Sequence, residues 1–124
     1  MNWANYPDFA EAEFKCSHCG KVNMQPEFLK KLQMLRTAFA KPMRITSGYR
    51  CPDHPIEAAK AIPGAHATGC AADVAVQGNE AHELMRLAFH FRFSGIGVQQ
   101  KGSGRFIHLD TLTESPRPNV WSYP

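Results

Sequence analysis

At 124 residues the chain has room for one hydrophobic core of ordinary size and not for two. Hydrophobic residues make up 44% and charged residues 20%, which excludes a disordered chain, and the formal charge of +3 is scattered without a basic block, which excludes the footprint of a nucleic-acid binder. No apolar run approaches the roughly 18 residues that span a bilayer, and Met1 to Ala10 has no basic start followed by an apolar stretch, so neither membrane insertion nor a secretory leader is expected.

From Pro26 to Ala40, Phe28, Leu29, Leu32, Leu35 and Phe39 recur at helical spacing, and this predicts an amphipathic helix. Pro26 suits its first turn, Glu27 lies near the positive end of the dipole, and Pro42 stops it. Met43 to Ser47 reads as a short strand leading into a turn at Gly48. Between Cys51 and Gly64, Pro52, Pro55 and Pro63 break regular structure and predict a loop able to lie across a site. A second strand is expected at Ala71 to Val76, then a helix capped by Asn79 and running Glu80 to Phe91. Gly95 to Gln99 and Arg105 to Asp110 read as two strands joined by a turn at Gly102, Ser103 and Gly104. Pro116 to Pro124 is expected to wrap the surface as a tail held by Val120, Trp121 and Tyr123. This order of elements predicts one α+β domain over residues 1–124, core about 14–123, with a mainly antiparallel sheet.

The strongest local signal is His66-Ala67-Thr68-Gly69-Cys70-Ala71-Ala72-Asp73, where a loop histidine precedes a carboxylate at the start of a buried strand. Both are zinc-ligand types, and a catalytic zinc site takes three protein ligands with a fourth position open. His108 is the candidate third, because alternation places Phe106, His108 and Asp110 on one strand face, opposite Ile107 and Leu109. On spacing alone, an exposed loop histidine and a turn-forming aspartate are the commoner uses of such residues.

The ordered blocks Ile45-Thr46-Ser47-Gly48-Tyr49-Arg50, His66 with Gly69 and Asp73, and Gly95-Ile96-Gly97 leading to Phe106-Ile107-His108-Leu109-Asp110 resemble the zinc D-alanyl-D-alanine carboxypeptidase family. That family includes D,D-dipeptidases, phage endolysins and relatives of the hedgehog signalling domain. The likeness runs from about Phe14 to Tyr123, and Arg117-Pro118 with Val120-Trp121-Ser122-Tyr123 is similar to its short phage and prophage members. The resemblance implies a hedgehog/DD-peptidase-like fold with helices packed on one face of the sheet. It implies one catalytic zinc ion on His66, Asp73 and His108, and hydrolysis by water without a covalent intermediate. Arg50 would then meet a substrate carboxylate or the scissile carbonyl, with Ser47 and Tyr49 shaping the turn or bonding substrate. The implied substrate is a peptidoglycan stem peptide, reached after synthesis in the cytoplasm with delivery by a holin or as part of a phage tail.

Two positions depart from the family pattern. Gly64 stands where many members have a serine, and Arg105 stands where endolysins and dipeptidases carry an acidic general base. Asp110 is therefore expected to orient His108 from behind or to take the proton itself, with His54 of the proline-rich loop as a further acid-base candidate. The alternative is a zinc-binding recognition or structural module of a phage particle that has lost turnover.

Cys16-Ser17-His18-Cys19 is half of a metal site, and Cys51-Pro52-Asp53-His54 offers a second half. Small buried thiols near a turn are the simpler expectation for these cysteines, and a Cys51 to Cys70 disulfide is equally open on spacing.

Overall fold

The computed structural model describes residues 1–61 and 64–124; Pro63, expected within the proline-rich loop, lies outside them. Helix α1 spans Pro26–Phe39, with Pro26 in its first turn and Ala40 turning left-handed at its end. Strand β1 covers Arg44–Ser47. The loop expected after it contains one short helix, α2, at Pro55–Ala58. This corrects the expectation of an irregular segment. Proline costs nothing at the start of a helix, and His54 caps it by accepting the Ile56 N–H.

Strand β2 is Ala71–Ala75, and helix α3 is Gly78–His90. Asn79 is not its cap: Gln77 holds that position and offers no side-chain bond, so the amphipathic face, not capping, sets the helix. Strands β3, Gly95–Gln99, and β4, Phe106–Asp110, form the expected hairpin. The tail is also corrected, because Asn119–Ser122 forms a fifth strand, β5, instead of a surface wrap.

The sheet order is β1-β2-β4-β3-β5, antiparallel throughout except for β5 beside β3. Period-two alternation divides β4 cleanly. Ile107 and Leu109 point into the core with Val74, Ile96 and the buried faces of α1 and α3, which pack on each other. Leu29, Leu32, Leu35 and Leu84 are fully buried there, each worth about 1.5–3 kcal/mol of transfer free energy. The other face carries Asp73 and His108. The N-terminal arm, with 3-10 turns at Trp3–Asn5 and Glu11–Phe14, seals one end of the core through Phe9 and Phe14. Gly48 permits that closure, since a β-carbon there would lie 2.6 Å from the Phe14 backbone. Among the described residues no helix is long and apolar enough to cross a membrane.

Candidate metal centre

Three elements bring the polar face together. Asp73 of β2 pairs directly across from His108 of β4, which sets their side chains next to each other on one face. His66 arrives from a 3-10 turn, Ala65–Thr68, that the sequence did not announce. Its carbonyl accepts the Arg50 N–H at 3.2 Å, tying this turn to the chain leaving β1.

All three side chains are buried, and their ligand atoms lie within 4.8 Å of one another. His66 Nδ1 lies 2.8 Å from the Gly48 carbonyl, which only accepts, so Nδ1 carries the proton and Nε2 presents its lone pair. His108 is fixed the other way round, with Nε2 donating to Asp110 at 2.7 Å and Nδ1 left bare. The two bare nitrogens face Asp73 Oδ1 at 3.2 and 3.0 Å. Acceptors that close need a cation between them, either a proton or a metal ion. In the metal-free chain protons take that place: burial by itself would raise the Asp73 pKa, but hydrogen bonds from protonated His108 and His66 hold it well below the carboxylate range. Burial would likewise lower His108, yet bonds to Asp110 and Asp73 raise it. Two imidazoles and a carboxylate, with both outer ring nitrogens held by oxygen acceptors, fit the donor set of a zinc site.

The chain matches the sequence model of the family Peptidase M15 over residues 7–110. It belongs to the peptidase M15 family. Membership implies a zinc metallopeptidase, in agreement with the geometry at His66, Asp73 and His108. No curated protein matches the chain.

In this M15 chain the centre opens into a cleft of about 460 Å³ lined by Arg50, Lys60, Phe106, Arg117, Trp121 and Tyr123 among others. Arg50 approaches Asp73 at 3.6 Å and Glu57 at 3.4 Å. Glu57 escaped the sequence reading, although it is only 1% exposed. It accepts the Gly64 N–H at 2.6 Å and meets Lys60 at 3.2 Å, so it anchors the wall that holds Arg50. A buried glutamate in a four-residue helix leaves no periodic signature. Arg117, Trp121 and Tyr123 were also missed as site residues. Trp121 stacks near His108, with ring centroids 5.2 Å apart, and the Arg117 guanidinium lies 4.6 Å from the Trp121 ring. Only the pairing of β5 with β3 brings them here.

The remaining candidates lie as follows. Asp110 is fully buried beneath His108, and its oxygens also accept from Arg117 and from the Leu112 N–H. His54 is not among the cleft residues: one ring nitrogen accepts the Ile56 N–H and the other meets Ser17 at 3.1 Å. Arg105 is exposed and bonds the Gly102 carbonyl in the β3–β4 turn. Asp73 is the one carboxylate lining the cleft among the described residues. Cys16, Cys19 and Cys51 converge, without His54, and all four cysteines are free, so the Cys51 to Cys70 disulfide is absent.

Proposed function

We propose that this chain is a zinc peptidase that hydrolyses a peptide bond in the peptidoglycan stem, with His66, Asp73 and His108 as the metal ligands. The observation that carries this reading is the pair of bare imidazole nitrogens facing Asp73 Oδ1, an arrangement of acceptors that calls for a cation. Zinc bound there supplies a Lewis acid that polarises a carbonyl and makes water nucleophilic near neutral pH.

The protein's own groups do the rest. Arg50, held on the cleft wall by Glu57, presents a guanidinium to a substrate carboxylate or to the scissile oxygen as it gains charge. Arg50, Lys60 and Arg117 offset Glu57, Asp73 and Asp110 around the cleft, so a bound zinc ion would leave it net positive, which suits stem peptides rich in free carboxylates. Trp121 and Phe106 supply an apolar wall that excludes water from one side. Asp110 positions His108 and has no oxygen free to take a proton from substrate or water. His54 is left out of the reacting set in this reading. The resemblance to short phage members favours endopeptidase cleavage over trimming of a terminal residue, with delivery to the wall by a holin or a tail.

One observation favours the second reading, a zinc-binding recognition module without turnover: among the described residues no uncommitted carboxylate lines the cleft to act as general base. A single experiment separates the two. Zinc-loaded protein is incubated with purified sacculi, and the soluble fragments are analysed by mass spectrometry. Release of stem-peptide fragments by wild type but not by His66→Ala is expected. Zinc-loaded protein that binds sacculi and releases nothing replaces the peptidase with the recognition module.

A further inference from the structure

A second cluster of metal-ligating side chains lies outside the cleft. Cys16 and Cys19 flank a tight turn in the N-terminal arm, and Cys51 leaves the loop after β1; their sulfurs all fall within 4.8 Å of one another. Three thiolates on one zinc ion at about 2.3 Å sit about 3.8 Å apart, so the cluster needs only a small contraction to bind. No disulfide joins any two of them.

The backbone around the sulfurs is arranged for negative charge. The Cys51 N–H donates to Cys16 Sγ at 3.3 Å, and the Lys21 N–H donates to Cys19 Sγ at 3.4 Å. A neutral thiol is a weak acceptor, so an N–H aimed at each of these two sulfurs favours the thiolate. The turn itself is closed by the Gly20 N–H on the Cys16 carbonyl at 2.9 Å, with Gly20 at a φ of +77°. Three thiolates within 4.8 Å of one another repel, so the sulfurs cannot all ionise together unless a cation lies among them.

We propose that Cys16, Cys19 and Cys51 bind a structural zinc ion as three thiolates, separate from the ion at His66, Asp73 and His108, and so staple the N-terminal arm to the loop that carries Arg50. Each thiol releases its proton to solvent as the ion binds. Cys19 is exposed, so the fourth coordination position opens to water. His54 is committed to capping α2 and to Ser17, which keeps its ring out of the sulfur cluster. Arg50 directly precedes Cys51, and the Tyr49 N–H is already held by the Phe14 carbonyl at 3.0 Å. An ion at Cys51 fixes the far end of that short segment. The site thus bears on the cleft without touching it.

The test uses the full chain purified under reducing conditions. Elemental analysis is expected to give two zinc ions per chain in wild type and one in both Cys19→Ser and His66→Ala. Exchange with cobalt(II) gives an independent reading. A sulfur-to-cobalt charge-transfer band in the near ultraviolet is expected in wild type and in His66→Ala, and is lost in Cys19→Ser. The His66→Ala arm leaves every cysteine in place, so a poorly folded cysteine variant does not remove the test. Absence of the band from wild type and His66→Ala overturns the proposal, whatever happens at the cleft. An ion count unchanged in Cys19→Ser, with the band retained, overturns it as well.

Discussion

Arg117 closes on both oxygens of Asp110, its Nε 3.0 Å from Oδ1 and its terminal nitrogen 2.8 Å from Oδ2, while the same carboxylate accepts from His108 at 2.7 Å. Burial would raise Asp110, but the bonds to His108 and Arg117 lower it to about 2, so it is ionised at any pH at which a zinc site forms. A charged acceptor behind an imidazole fixes its tautomer and makes the other nitrogen a better donor to metal. Asp110→Asn is expected to weaken zinc binding at the cleft about 10- to 100-fold, and Arg117→Ala by less. Competition against a chromogenic chelator, in a Cys19→Ser background that isolates this ion, measures both. Equal affinity in Asp110→Asn and its parent rules out the role given to Asp110.

The glycines of β3 separate the metal from the cleft wall. A β-carbon at Gly95 would run into the Asp110 carboxylate, whereas one at Gly97 would lie 2.6 Å from the Tyr123 hydroxyl and 2.7 Å from Trp121 Nε1. Overpacking of this kind costs about 1–3 kcal/mol. Gly95→Ala is expected to lower zinc affinity as Asp110→Asn does, while Gly97→Ala displaces the tail, keeps the zinc and lowers sacculus turnover. Both variants are compared by thermal unfolding, zinc content and fragment release. Identical profiles would contradict this division of labour.

Glu57 has no exposed side-chain surface, yet it bonds Gly64, Lys60 and Arg50. Burial alone would raise its pKa, but the Gly64 N–H and Lys60 lower it, with Arg50 assisting. Glu57→Gln removes the charge and is expected to cost about 1–3 kcal/mol in denaturant unfolding. With Arg50 released, kcat/KM on stem peptide should fall mainly through KM. Arg50→Ala is expected to reduce kcat/KM about 100-fold. An unchanged KM in Glu57→Gln would show that Arg50 is held by other means.

The pH dependence of the metal-free chain follows from His108 and the two aspartates. The raised His108 contributes stability that is complete below about pH 6.5 and is lost as pH rises through its folded-state value. Asp73 and Asp110, both lowered, contribute stability that is present above about pH 3.9 and is lost as pH falls through their folded-state values. The metal-free protein is therefore expected to be most stable between about pH 4 and 6.5. Zinc reverses the upper limb, because protons compete for the imidazoles and stabilisation by the ion grows as pH rises. Thermal midpoints with zinc and with chelator, compared between wild type and His66→Ala, isolate this site. A zinc-dependent shift that shrinks from about pH 6 to 8 would contradict the assignment.

Local chemistry explains what was legible. The apolar face of α1, the alternation in β4 and the hairpin between β3 and β4 each depend on spacing within one short segment, and each formed where the pattern placed it. His66, Asp73 and His108 were readable as candidates because ligand types stood in ordered blocks, and Asp73 and His108 then fell opposite each other once β2 paired with β4. The α2 helix and the N-terminus of α3 were misread where proline or a missing cap residue had to be weighed against packing.

The sequence by itself determined α1, α3, the strands β1 to β4, the polar stripe on β4 and the residue types able to bind a metal, since these follow from the period of the backbone and the chemistry of single side chains. Only the tertiary structure decided that β5 lies parallel to β3, that Arg117 reaches Asp110, that Glu57 supports Arg50, and that Cys51 meets Cys16 and Cys19. These contacts join segments by strand pairing and burial across the fold, and no spacing within a segment encodes which distant partner a buried charge or thiol will find.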